Sequence, residues 1–242
     1  MKLPRLLVGF LLISNLIFGQ QKVQYSKDFT FQNGLYITFD DFKNNNPVPV
    51  THILSDYDIR DSDYLEQVLQ HDSVFYYDNL FEERSVAVQD LWGFCQQNRV
   101  FIGFGAESSI DNPEFFDFYP LINIGAVSFF TAYELYYSTM SPGPNMGVGI
   151  GGGMYDPMFD NTMTVTETGQ VQLLLDFKTG KILLAKRGEM GHVPEELVMQ
   201  ILRDDPVIFE EYKALAPREQ KQMGMFYIRK FNDRNPIYFP AE

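Results

Sequence analysis

The chain has 242 residues, 45% of them hydrophobic, and carries a net charge of −13 at pH 7. That acidity argues against nucleic acid as a partner, which asks for a basic face, while the length is enough to bury a sizeable core. With one cysteine, Cys95, no intramolecular disulfide framework is available.

The first residues read MKLPRLLVGFLLISNLIFGQQ. Lys2 and Arg5 precede an apolar stretch from Leu6 to Phe18, and Gly19 offers a small residue before the first glutamine. This is the layout of a secretory signal peptide over residues 1–20. Thirteen residues are too few for a helix to cross roughly 30 Å of hydrocarbon. The expected mature chain, residues 21–242, loses Lys2 and Arg5, which takes its net charge from −13 to −15. Export to the periplasm or beyond is expected, without a membrane span.

The next stretch, QKVQYSKDF, is polar and reads as loose. Asn33-Gly34 signals a turn, Leu35 to Ile37 a short extended run. Thr38 followed by Asp41 has the form of an N-cap with a first-turn acid, which places one helical turn over Phe39 to Lys43. Asn44 to Asn46 and Pro47 end it. VPVTHIL then reads as a strand, with Pro49 marking an edge.

SDYLEQVLQ starts a short helix with Ser62 or Asp63 at its cap. SVFYYDN is a strand, and EERSVAVQDLWGFCQQNRVFIGFG reads as two strands around the polar turn Gln96–Arg99. Alternation puts Leu91, Gly93 and Cys95 on one face and Trp92 and Phe94 on the other. Both faces are apolar, so this hairpin is expected between layers, with Trp92 and Cys95 largely buried.

FFDFYPLINIGAVSFFTAYELYY gives two more strands divided near Asn123–Gly125. Residues 138–163 mix glycine, proline and methionine without periodicity and read as a long loop. VTETGQVQLLLDFKTGKILLAKRG is the clearest hairpin, turning at Lys178-Thr179-Gly180. Beyond Gly191 the period becomes helical. Pro194 opens a helix with a Leu197, Ile201, Leu202 stripe, Asp205-Pro206 a second with Ile208, Tyr212 and Leu215. A third follows Pro217 with Met223, Tyr227 and Phe231, and Pro236 stops it. The expectation is a single α+β domain: an antiparallel, strand-rich body of about eight strands in hairpins with roughly three C-terminal helices packed on it.

Charge is uneven along the chain. Between Arg99 and Lys178 there is no cation against nine acids, whereas from Lys213 onward six cations face three acids. Such asymmetry speaks of solubility and association more than of chemistry.

GLYITFDDFKNNNPV, LWGFC entering a strand, LLLDFKTGKILL and YIRKFNDRNPIYFP together, behind a signal peptide, resemble a group of uncharacterised exported proteins of Bacteroidota. In that group a G-Y-x-x-F-x-x-F-x-x-N-x-P stretch precedes a W-G strand, a D-x-x-T-G hairpin and C-terminal helices. The glycine-rich segment at 141–153 has no counterpart in the pattern. The resemblance implies an exported location and one continuous domain, and it carries no activity and no site.

Several stretches invite a chemical reading. GVGIGG at 147–152 matches G-x-G-x-x-G, but MYDPMFDN follows it, with a proline and no helical stripe, so a loop is expected. Cys95 could meet His52, His71 or His192 only through the fold, and a thiol alternating with aromatics reads as a small buried apolar residue. DYDIRDSDYLEQ at 56–67 has four aspartates, yet Asp61 stands where a calcium loop needs glycine and Arg60 occupies a ligand position. HVPEE holds one histidine and a helix-breaking Pro194. Glu107, Glu114, Asp117 and Glu134 could supply paired carboxylates only at a separation that sequence does not give.

No catalytic, cofactor or metal set emerges. The leading expectation is a non-catalytic binding or structural module of the cell envelope, acting on a protein or other envelope component. The alternatives are a carbohydrate-binding protein or weak glycoside hydrolase using the aromatic and acidic segment 104–137, and a carrier of an apolar ligand.

Overall fold

The computed structural model describes residues 21–105, 116–140, 163–184 and 193–241, with backbone alone for 134–140, 163–168 and 184. In chain order the strands and helices of the first half are β1 (Lys22–Gln24), β2 (Gly34–Tyr36), α1 (Phe39–Lys43), β3 (Val48–Pro49), β4 (Ile53–Leu54), α2 (Tyr64–Val68), β5 (Ser73–Tyr77), β6 (Glu83–Ala87), β7 (Gly93–Gln96) and β8 (Arg99–Gly105). The second half has β9 (Phe116–Pro120), β10 (Val127–Met140), β11 (Met163–Asp176), β12 (Ile182–Leu184), α3 (Glu195–Leu202), α4 (Pro206–Lys213), α5 (Pro217–Arg234) and β13 (Tyr238–Pro240). The fold is α+β, with antiparallel sheets and its longer helices gathered at the C-terminal end.

Strand pleating organises these elements into layers. In the five-stranded sheet β3-β2-β7-β8-β9, Tyr36, Cys95, Val100 and Ile102 point into one core. Leu35, Phe94, Phe101 and Phe118 point into another. The first core is shared with Phe130, Ala132, Val171, Leu173 and Leu175 of the sheet β10-β11-β12. That sheet turns Val127, Phe129 and Leu174 the other way, against α3, α4 and α5. The second core is closed by α2 and by the small sheet β4-β5-β6, which contributes Ile53 and Val74. The order is therefore small sheet, five-stranded sheet, three-stranded sheet, helices. Both inner sheets are buried on two faces.

Local chemistry accounts for many boundaries. Thr38 accepts from the Asp41 amide and the Asp41 carboxylate accepts from the Thr38 amide, the capping box expected for α1. For α2 the cap position is Asp63, as expected, but its side chain makes no cap bond. Gln96 of β7 supplies it instead, accepting from the Leu65 amide at 3.0 Å while donating to the Ser62 carbonyl. Asp205 caps α4 and also pairs with Arg234 at 2.7 Å, which joins the start of α4 to the end of α5. From α5, the Asn232 amide donates to the Val127 carbonyl and accepts from the Val127 amide, both at 2.8 Å, in the manner of a neighbouring strand. Gly125 is needed there, because a Cβ would lie 2.7 Å from Asn232 Nδ2.

Five details differ from the sequence-based expectation. EERSVA is not the first arm of the Trp92 hairpin; as β6 it pairs with β5. VPVTHIL is broken by a 3₁₀ turn at Val50–His52, so that β3 and β4 enter different sheets, β3 at an edge as Pro49 required. The expected loop at 138–163 is shorter, since β10 extends to Met140 and β11 begins at Met163, opposite each other. Tyrosine and threonine in those strand ends favour continued pairing. Pro194 is the residue before α3 rather than its first position. Finally, the N-terminal stretch that reads as loose forms β1 and pairs with β13, Lys22 opposite Pro240. Residues 1–20, the interior of the glycine-rich loop and His192 lie outside the described residues.

The β1–β13 ribbon is held by an aromatic cluster. Phe239 is fully buried, with ring centroids of Phe29, Phe31, Phe177, Phe42 and Tyr25 at 4.9, 5.2, 5.4, 5.6 and 5.9 Å. Phe239→Ala is expected to lower unfolding stability by about 3–5 kcal/mol in denaturant titration. A loss below about 1 kcal/mol would mean that the cluster closes without β13.

Candidate interaction surface

The residues that sequence alone singles out for chemistry are not brought together. Cys95 is fully buried, and its thiol donates to Asn33 Oδ1 at 3.9 Å. Burial pushes that thiol up to about 12, against a smaller opposing effect of the Asn98 backbone. His71 Nε2 instead lies 3.1 Å from the Tyr57 hydroxyl, and His52 packs near Phe81 at 5.8 Å. Asp58 is engaged by Arg60, and no group of three His, Cys, Asp or Glu converges among the described residues. Of the segment 104–137, Tyr119 and Phe130 are in the core, while Asp117 and Tyr133 are exposed. Glu107, Glu114 and GVGIGG lie outside the described residues, as does the Glu134 side chain.

Trp92 departs from the alternation expected of it. It stacks on Phe42 at 4.4 Å, on the same core as Cys95, and is half-buried rather than largely buried. The strand begins only at Gly93, after a 3₁₀ turn at Val88–Asp90, so pleating does not fix the direction of the preceding side chain. A thiol reagent should label Cys95 slowly in native protein and quickly after denaturation. Because the folded thiol lies above its ordinary 9.0, the stability it contributes is complete below that pH and is lost as pH rises towards about 12. Rapid native labelling at neutral pH would contradict this placement.

A cavity of about 300 Å³ lies where α3 and α5 meet β10 and β12. Val127, Leu183, Ile201 and Phe231 line it, with the Lys178–Asp204 ion pair at 3.0 Å among its polar groups. Its size is at the small end for ligand pockets.

The small outer sheet is different in kind. Twelve large apolar side chains are exposed among the described residues, and seven of them fall between Leu54 and Phe81. Leu54 is opposite Phe75, and Tyr77 follows on the same face, the one turned away from Ile53 and Val74. Such concentration marks an interaction surface more than scattered exposure would.

The hairpin tip beyond them is the clearest feature. Phe81 N–H donates to the Asp78 carbonyl at 2.9 Å, which closes a turn around Asn79 and Leu80. Phe81 then adopts φ +58°, the left-handed position that glycine usually takes in a three-residue hairpin loop. The Asp78 carboxylate accepts from the Leu80 and Glu82 amides at 2.8 and 3.0 Å and from Arg84 Nε at 3.1 Å. The backbone bond from Glu82 leads the effects that hold this carboxyl below its usual range. The loop is thus ordered by its own polar groups, while Leu80 and Phe81 remain 77% and 75% exposed. A bulky apolar side chain in that conformation, with little burial in return, is a cost to folding that points to use elsewhere.

The segment that carries the patch is acidic. Residues 52–90 hold ten acidic residues and two arginines. Arg60 pairs with Asp58, and Arg84 with Asp78 and Glu82. Little in the sequence signals this site, because DNLFEE lacks the glycine that marks such a turn.

No protein-family model, curated protein or solved structure matches the chain.

Removing the Phe81 side chain in two ways separates backbone strain from lost contact. Phe81→Gly should be more stable than Phe81→Ala by about 1 kcal/mol, since only glycine accepts the left-handed conformation freely. Equal melting of the two variants would show that the tip is unstrained.

Proposed function

We propose that the protein is an exported, non-catalytic binding module of the cell envelope, and that the outer face of β4-β5-β6 with its hairpin tip docks on a partner protein. The observation that carries this reading is the exposed Leu80–Phe81 tip, held in an unfavourable backbone conformation by Asp78. Leu54, Phe75 and Tyr77 extend the apolar area behind it.

Chemistry narrows the partner. An apolar patch on an acidic segment repels anionic lipid headgroups and phosphate backbones, and favours a protein surface with an apolar pocket and basic neighbours. The cationic start and short apolar stretch of residues 1–20 support export, as does the resemblance to exported Bacteroidota proteins. No helix among the described residues is long and apolar enough to cross a membrane.

The double variant Leu80→Ser/Phe81→Ser tests the reading. Both side chains are exposed, so melting should change little, while migration in native extracts of the producing cells should change. Wild type should run in a complex larger than its own mass, and the variant alone. A wild type that runs as the free chain, or a variant that stays in the complex, would overturn docking through this face.

A further inference from the structure

The sheet that presents this face also has an open edge. In the order β4-β5-β6, β6 is paired on one side only among the described residues. Its ladder with β5 runs without a bulge from Ser73 opposite Ala87 to Tyr77 opposite Glu83. Hydrogen bonds at the two ends fix which groups face inwards. Asp78 N–H donates to the Glu82 carbonyl and Val88 N–H to the Asp72 carbonyl. Antiparallel pairs alternate, so Arg84 and Val86 bond to β5 while Glu83, Ser85 and Ala87 turn their N–H and C=O groups away from it. Glu83, Arg84 and Ser85 are exposed, and Val86 and Ala87 half-buried.

Other edges of the fold are closed by means that β6 lacks. β3 contains Pro49 and β9 ends at Pro120, while β4 has only two residues and β12 three. β10 is covered at Val127 by Asn232, at Phe129 by Ile122 and Asn123, and at the Tyr133 carbonyl by the Tyr119 hydroxyl. β6 has no proline, lysine or bulge; its charged residues are Glu83 and Arg84, and Arg84 is held by Asp78 and Glu82.

We infer that the partner supplies an extended, cationic segment that adds to β6 as a fourth strand. This rests on the docking face proposed above and names how that face is read. Glu83, Ser85 and Ala87 would each exchange main-chain hydrogen bonds with the incoming strand. Their side chains share the face of Tyr77 and Phe75, which lie opposite Glu83 and Ser85. Because Ser85 is small, the aliphatic stem of a lysine opposite it on the added strand extends towards the Phe75 ring, whose strand lies about 10 Å away. A lysine or arginine opposite Glu83 would meet the acids of the tip, whose local cation Arg84 is already held by Asp78 and Glu82. A second copy of this chain is disfavoured as the occupant, because it would bring the same acid-rich segment against itself.

The test uses full-length mature protein and three synthetic ten-residue peptides: alternating lysine and valine, alternating glutamate and valine, and the lysine–valine peptide N-methylated at alternate residues. Amide exchange is followed residue by residue by NMR. The lysine–valine peptide should slow exchange at Glu83, Ser85 and Ala87 by roughly tenfold and leave Arg84 and Val86, already bonded to β5, unchanged. Added salt should weaken the effect. The N-methylated and glutamate–valine peptides should give no protection, and Ser85→Pro should melt like wild type and lose it. Protection by the glutamate–valine peptide, or by the N-methylated one, would overturn the inference. So would resonance shifts at Leu80 and Phe81 without slowed exchange at β6; that result would leave the docking face standing and remove only strand addition. Absence of any response to the lysine–valine peptide would also overturn it, while the docking face would still be judged by the migration of the double variant.

Discussion

A sheet buried on both faces must divide its alternate side chains between two separate cores, and the rest of this structure is arranged around that constraint. In β2, Leu35 belongs to one core and Tyr36 to the other. In β11, Leu174 is turned to the helices and Leu173 and Leu175 to the sandwich. A register slip of one residue in either sheet would exchange the two sets at once. Each inner sheet thus needs a cover on both sides, which brings in the small sheet and α2 at one end of the stack and the three C-terminal helices at the other.

Among the described residues the outermost layers have no further cover. The helices meet this with a mostly polar outer side: α5 buries Gly224, Tyr227, Ile228 and Phe231 and exposes Arg218, Lys221 and Arg229, with Phe226 its one large apolar side chain in solvent. The small sheet does not. Val74 and Ile53 satisfy its inner face, but Phe75, Tyr77 and Leu54 occupy the outer one, where polar residues would serve solubility better. The apolar outer face, the left-handed Phe81 and the open β6 edge are three departures from local rules around one hairpin. Their coincidence, in the layer that none of the described residues covers, is what sets this end of the molecule apart from the helical end.

The charge pattern acquires meaning in the same frame. The acids of residues 52–90 belong to the segment that builds the small sheet, while α5 carries cations at the other end of the stack. Screening confines such effects to about 8 Å in physiological salt, so the acids act on what approaches the hairpin and not across the molecule.

Features with local causes can be read from the residues alone. The Thr38–Asp41 capping box, the turn at Lys178–Gly180, and the starts of α4 and α5 at Pro206 and Pro217 each depend on a few adjacent residues, and all were legible. So was the burial of Cys95, because apolar residues on both faces of LWGFC leave no solvent side. Long-range packing settles which core Trp92 joins, that Gln96 caps α2, and that β1 finds β13 near the far end of the chain. Three-residue strands carry no readable period, and their pairing is set by the aromatic cluster around Phe239. The candidate surface was hidden for a related reason. SVFYY is apolar at every position after the serine, so its pattern cannot say which face is covered; that follows only from which layer comes next, and beyond Phe75 and Tyr77 the described chain supplies none.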